Sequence, residues 1–254
     1  MPVRHYGEDG YDNDGYIMSD GKPMAESFEH QEAMVYAIFA LRTHFQDRPD
    51  VYVMGNDFVH YKEGDRNRYL SPDCYVVFGV EPKPSRSNFK VWEEGKSPSV
   101  VFEMTSIGTR REDETTKYEI YKNSLKSLEY FRFDPQGEYL NPKLRGDVLT
   151  ENGYQPLIPD TDGRLYSKTL GLKIGYVGME LRFYNPDTGV ALLSPRETTL
   201  ALEATERLLR VERELARAEQ QRLIQEAETE RELRLQTEQE MERLRAEIAA
   251  LKQS

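Results

Sequence analysis

Asp73 and Glu103 each stand at one end of an apolar run. Asp73 follows Pro72 and opens CYVVFGV, and Glu103 closes PSVVFE. Runs this apolar read as strands buried on both faces, so the carboxylates at their ends are at least partly desolvated. A buried anion has to be paired, protonated or bound to metal, because its desolvation costs several kcal/mol. If the two strands are neighbours, the two acids meet and repel unless a cation lies between them. Oxygen donors of this kind suit a hard cation, Mg2+ or Mn2+, with water filling the remaining positions. Beyond Glu103, the residues Asp113, Lys117 and Tyr121 are spaced i, i+4, i+8 and share one face of a helix. Taken singly, each residue also has a plainer role. Asp73 suits a turn, Glu103 suits a partner arginine, and Asp113–Lys117 suits a surface ion pair worth a few tenths of a kcal/mol.

The elements that must position these residues are readable from pattern. AESFEHQEAMVYAIFALRTHF carries dense apolar residues in i, i+3, i+4 relation, with Ser27 in the N-cap position, and predicts a helix that Pro49 stops. VYVMGNDFVHY predicts a strand up to a Gly-Asn-Asp cluster. The run from Cys74 to Val80 predicts a buried strand, EPKPSRSNFKVWEEGKSP a proline-rich loop, and PSVVFEMT a second buried strand. GTRREDETTKYEIYKNS predicts a charged amphipathic helix, and SLEYFRF a third strand closed by Asp134-Pro135. Hairpin-like pieces follow to about residue 195.

Three domains are expected: an arm over residues 1–23, a central domain over 24–195 and a long helix over 197–254. The arm is rich in Gly, Asp, Asn and Tyr and is expected to be flexible. From about Thr198 the chain has no Gly or Pro and is dominated by helix formers. That predicts one helix of roughly 80 Å at about 1.5 Å per residue. Met241, Leu244, Ile248 and Leu251 follow the spacing of a coiled-coil seam, although Glu230 and Arg234 fall on the same line. A homo-oligomer through this helix is expected, since a bare helix of this length gains little from burial.

Composition narrows the function. The 254-residue chain has a formal net charge of -11, so bulk attraction to nucleic acid or to an anionic membrane is not expected. A local basic surface remains compatible with phosphate binding. The single cysteine, Cys74, excludes an internal disulfide and a cysteine-based zinc site. The first residues have no apolar core of a signal peptide, and no window is apolar enough for a membrane helix, so a cytoplasmic location with no membrane partner is expected. Ser106 lacks a His-Asp partnership and reads as a capping residue. A glycosidase would need a sugar cleft lined with aromatics, and the single Trp92 sits in the proline-rich loop.

The ordered set of motifs resembles the Uma-type restriction endonucleases, a bacterial branch of the PD-(D/E)XK nuclease superfamily. The matching residues are Glu29-His30 opening the first helix, Pro72-Asp73, Glu103 with Ser106, and Thr109-Arg110. They continue with Asp113, Lys117, Tyr121, and Glu129-Tyr130-Phe131 with Asp134-Pro135. The resemblance covers roughly residues 24–180. It implies an α/β fold with a PD-(D/E)XK nuclease-like mixed central sheet flanked by helices, here followed by the long C-terminal helix. It also implies Mg2+ (or Mn2+) held by Asp73 and Glu103, with DNA as substrate. The superfamily's lysine two residues after the Glu is Thr105 here, and the resemblance points to Lys117 in its place. The expected catalytic set is therefore Asp73, Glu103 and Lys117. Glu29, His30, the Met104 carbonyl, Ser106, Asp113 and Tyr121 are supporting candidates.

Arg110 and Arg111, with Arg66, Arg68, Lys83, Arg86 and Lys90, are candidates for a basic rim that meets phosphates. The competing expectation is a catalytically inactive nuclease-fold scaffold or binding protein that assembles through its C-terminal helix.

Overall fold

The computed structural model describes residues 11, 12, 14–18, 27–83 and 86–251, without the side chains of 248–251. Most of the 1–23 arm, and the side chains of the seam positions Ile248 and Leu251, lie outside the described residues. No helix among the described residues is long and apolar enough to cross a membrane.

Helix α1 (Phe28–His44) starts where Ser27 accepts the His30 amide proton at 3.2 Å. Ala33, Ala37 and Ala40 lie on its buried side. Their small side chains let the helix lie close to a sheet. That sheet has six strands among the described residues: β1 (Val51–Met54), β4 (Cys74–Phe78), β6 (Val100–Met104), β7 (Glu129–Phe133), β8 (Leu144–Thr150) and β9 (Gly153–Pro156), in the order β1-β4-β6-β7-β8-β9. It is mixed: β6 and β7 run parallel, and the other neighbours run antiparallel. A parallel pair needs a crossover, and here the helical stretch that carries Lys117 supplies it. The architecture is α/β.

The strand predicted over VYVMGNDFVHY is two strands. The Gly55-Asn56-Asp57 turn sends β2 (Val59–His60) into a small sheet with β3 (Tyr69–Leu70) and β5 (Phe89–Lys90). The proline-rich loop contains that β5 and a single helical turn, α2 (Val91–Glu94). Two-residue strands and one turn leave no periodicity in sequence, which is why pattern alone missed them. A third sheet, β10 (Leu165–Ser167), β11 (Leu172–Val177) and β12 (Glu180–Tyr184), packs with α1 on one face of the main sheet. Phe102 stacks on Phe131 at 4.9 Å there, with Phe183 edge-on at 5.4 Å. The other face is built of tyrosines, with Tyr75, Tyr121 and Tyr130 fully buried and Tyr154 beside them.

The described part of the N-terminal arm is docked. Tyr16 and Ile17 are buried, and the Lys90 ammonium holds Asp12 at 2.8 Å and Asp14 at 3.0 Å. Residues Met1–Pro195 form one compact unit and Arg196–Ser254 another. Helix α4 (Pro195–Leu251) makes up almost all of the second. Every described side chain from Thr198 to Glu247 is exposed, and ion pairs such as Arg234–Glu230 at 2.8 Å run along it.

The turn after β1 generates two predictions. A Cβ on Gly55 would lie 1.9 Å from the Asp73 carbonyl oxygen. Backbone cannot yield cheaply there, so Gly55→Ala is expected to destabilise the fold by about 3 kcal/mol in urea melts, at the upper end of overpacking costs. Asp57 is buried, and burial raises its carboxyl to about 6, while the Tyr75 hydroxyl donating at 3.1 Å opposes the rise. Between about pH 4 and pH 6 the native state keeps a proton that the unfolded chain releases, so stability falls as pH rises through that window. Asp57→Asn removes this loss. The expected gain is about 3 kcal/mol at pH 7, shrinking to nothing below pH 4, read from melts across pH.

Candidate active site

Strand alternation sets the site. In the β4–β6 ladder Cys74 faces Phe102, so Asp73 and Glu103 occupy the next register position. Both then lie on the tyrosine face, because successive side chains alternate across a sheet. Glu103 is buried to 1% exposure and Asp73 to 9%. Asp73 Oδ2 accepts the Met104 amide proton at 2.7 Å, which ties the end of β4 to the end of β6. His30, from the first turn of α1, places Nε2 3.2 Å from Asp73 Oδ1.

The crossover brings the rest. It consists of a π-helical segment (Glu112–Thr116), the turn α3 (Lys117–Glu119) and a second π-helical segment (Ile120–Ser124). The Lys117 amide bonds the Glu112 carbonyl and the Leu125 amide bonds the Ile120 carbonyl, both i→i−5. In an α-helix, residues four apart drift by about 40° around the axis. The π turns widen the helix locally, and Asp113, Lys117 and Tyr121 remain on the side that meets Glu103. All three reach the Glu103 neighbourhood. Lys117 Nζ lies 2.9 Å from Glu103 Oε2 and 3.0 Å from Asp113 Oδ1. The Tyr121 hydroxyl donates to Glu103 Oε1 at 2.6 Å.

Thr105 continues the face of Glu103. Its hydroxyl donates to Asp113 Oδ2 at 2.7 Å and lies 2.5 Å from the Tyr139 hydroxyl. The Tyr130 hydroxyl donates to the Asp113 carbonyl at 3.1 Å. Asp113, 1% exposed, is therefore an interior group and not half of a surface pair.

Charge within this cluster is unbalanced. Asp73, Glu103 and Asp113 share one ammonium, Lys117. Burial pushes the Glu103 carboxyl up, Lys117 opposes that, and the charges of Asp73 and Asp113 add to the rise. Burial alone would lower Lys117, but Glu103, Asp113 and Asp73 hold it above the usual lysine range.

Other candidates take structural places. Glu29 is half-buried, with Gln136 donating to it at 3.2 Å; its own amide and Ser27 hold its carboxyl below the usual range. The Ser106 carbonyl accepts the Arg110 amide proton at 2.9 Å, and its amide donates to Thr109 Oγ1 at 3.1 Å, so it shapes the turn into the crossover. Arg110 pairs with Glu114 at 3.1 Å and lies over the Tyr139 ring, and Arg111 is exposed. Lys90, expected on a basic rim, is instead 5% exposed and engaged by Asp12, Asp14 and Glu93. Asp134 accepts the amides of Gly137, Tyr139 and Leu140 and so fixes Tyr139 beside Thr105. Sequence reasoning missed the contacts of Thr105 and Tyr139, because the residues lie 34 positions apart and no short motif joins them.

Residues 12–181 match the sequence model of the Uma2 family, described as "Putative restriction endonuclease". No match is found among curated proteins. Among solved structures the chain is similar to the crystal structure of a "putative nuclease belonging to DUF820 from Anabaena variabilis ATCC 29413". That similarity has 12% identity, covers 57% of this chain and 80% of the other, and has a TM-score of 0.38.

The charge balance of the cluster is testable by stability. Lys117→Met leaves buried carboxylates without their ammonium and is expected to cost about 3–5 kcal/mol. Adding Asp113→Asn to it should recover part of the loss. A single variant as stable as the wild type in urea melts would show that Lys117 does not neutralise the cluster.

Proposed function

The chain belongs to the Uma2 family of putative restriction endonucleases, and from that premise we propose that it is a Mg2+- or Mn2+-dependent DNA endonuclease. The observation that carries this reading is the meeting of Asp73, Glu103 and Lys117 on one face of the sheet. Two carboxylates on adjacent strands, in a buried cluster short of positive charge, fit a hard divalent cation. Among the described residues no group of three or more His, Cys, Asp or Glu is arranged to hold a metal. That leaves the two acids as the protein's side-chain donors and the remaining positions to water and phosphate oxygens, the usual division for Mg2+. Asp73 and Glu103 would hold the ion, with the Met104 carbonyl as a further donor. When bound, it would lower the pKa of a coordinated water and polarise the scissile phosphate.

The protein's own groups do the remaining work in this proposal. Lys117 orients the attacking water or stabilises charge that develops on phosphate oxygens. Asp113 holds the Lys117 ammonium together with Glu103, and Thr105 holds Asp113. Tyr121 fixes the Glu103 carboxylate through Oε1, leaving lone pairs on both oxygens for a ligand. His30 does the same for Asp73.

A supercoiled-plasmid assay checks the reading. The wild type is expected to nick or linearise DNA with Mg2+ or Mn2+, to be silent in EDTA, and to lose activity by at least about a hundredfold as Glu103→Ala. Activity that survives in the variant would point to a contaminant. Silence of the wild type with every metal and with single-stranded DNA would leave the scaffold reading.

Helix α4 supports self-association alongside catalysis, since it exposes Leu208, Leu215, Leu223, Met241 and Leu244. Light scattering should give a mass above one chain for the wild type, and one chain for the double variant Met241→Glu, Leu244→Glu.

A further inference from the structure

A cavity of 530 Å3 opens along β1, away from the catalytic cluster. Strand β1 is the last strand on its side of the main sheet among the described residues. Arg42, Arg48, Lys83 and Arg86 line the cavity, with Tyr52 and Val53 among its apolar walls, and no Asp or Glu among the described residues lines it. In a chain of net charge -11 this is a concentration of one sign against the bulk. Three of the four cations share two carboxylates among the described residues. Arg48 is forked onto Asp50, with both bonds at 2.8 Å. Arg86 meets Glu94 at 2.8 Å, and Lys83 stands 3.8 Å from the same Glu94. Arg42 is exposed and bonds neutral acceptors, the Val53 carbonyl at 2.9 Å and Met54 Sδ at 2.9 Å.

Arg86 supplies a second, independent observation. Its side chain is 6% exposed and its guanidinium lies 4.2 Å above the Tyr52 ring. Its Nη1 is buried with no hydrogen-bond partner among the described residues. A buried guanidinium N–H without an acceptor is costly, and an anionic oxygen satisfies it with a charge-assisted bond. Planar guanidinium donors beside an aromatic ring suit phosphate oxygens. The cavity is also joined to the catalytic cluster through β1. Met54 lines it, and the next residue, Gly55, packs directly on the Asp73 backbone.

We propose that this basic cavity is a groove for the phosphodiester backbone of the nucleic acid, holding the strand that runs to Asp73, Glu103 and Lys117. The proposal rests on the nuclease reading and adds the surface that captures the substrate. Arg42, Arg48 and Lys83 neutralise phosphates at the surface. Arg86, held over the Tyr52 ring, adds its positive charge to the groove wall. Contacts of this kind fix register and carry no base information.

The test measures binding and cleavage separately on the full chain. Anisotropy of a fluorescent DNA duplex is followed in EDTA over a range of salt, for the wild type, Lys83→Glu and the double variant Arg42→Glu, Lys83→Glu. Lys62→Glu, Lys168→Glu controls for net charge, and thermal melts check folding. The expected result is a loss of affinity of about tenfold or more in the double variant, with a salt slope shallower by about 0.9 per lost phosphate contact. Lys83→Glu alone should show a smaller loss, and the control pair none.

A wild type that binds and cleaves, with a folded double variant that binds with the same affinity and slope, overturns the groove and leaves the nuclease reading standing. Binding lost in the double variant, with no cleavage by any form in Mg2+ or Mn2+, supports the groove and overturns the nuclease. No binding by the wild type at low salt overturns the groove whatever cleavage shows.

Discussion

The burial of the Glu103 carboxylate is the constraint on which the centre of this protein depends. It sits at 1% exposure on an interior strand of the sheet, where an unpaired anion would cost several kcal/mol. The surrounding chain answers that cost from several directions. The crossover between the parallel strands β6 and β7 brings in an ammonium and a phenol, Lys117 and Tyr121. Its helical turns bring those residues and Asp113 to one side. Yet the cluster also contains Asp73 and Asp113, so one ammonium is set against three acids. A fold selected for stability alone would have fewer carboxylates here, since apolar replacement of buried ion pairs is often neutral or stabilising. The surplus of acid is the physical reason to look for a cation from outside.

Much of this centre was legible in the sequence, and the reason is periodicity. Asp73 and Glu103 end runs whose apolar character predicts buried strands, and an antiparallel neighbour places them side by side. The i, i+4, i+8 spacing of Asp113, Lys117 and Tyr121 survives the change from α to π geometry because both put residues four apart on similar bearings. What was illegible has no local period. The Gly55 turn diverts the chain into a sheet of two-residue strands. His30 finds Asp73 across 43 residues, and Tyr139 finds Thr105 across 34. Lys90 was misplaced on a rim because its partners, Asp12 and Asp14, belong to an arm that composition marks as loose. Pairings set by tertiary contact leave no trace in spacing.

Electrostatics separates the parts of the chain in a way that the net charge hides. The sum of -11 includes the Glu-rich helix α4, whose side chains are exposed and laced with i, i+4 pairs. Such pairs are screened and individually weak. The cavity beside β1 is lined by four cations, three of them paired with carboxylates that do not line it. Nucleic-acid binding responds to the charges within a Debye length of the phosphates, about 8–10 Å in ordinary salt. An acidic chain and a phosphate-binding groove are therefore compatible, provided the cations are gathered in one place.

Thr105 stands on the face of Glu103, yet the ammonium that meets Glu103 comes from the crossover. Position 105 continues the face of Glu103, so a lysine there would aim its ammonium into the same cluster. Here the residue is short, and its hydroxyl is spent on Asp113. The ammonium comes instead from the crossover, 14 residues after Glu103, and bridges Glu103 and Asp113. The two arrangements deliver the same charge to the same carboxylate but differ in what holds the lysine. A strand lysine is positioned by the sheet alone. Lys117 is positioned by a helical turn, by Asp113 and, through Asp113, by Thr105 and Tyr130. Its place therefore depends on the crossover and on the side chains that hold Asp113 there.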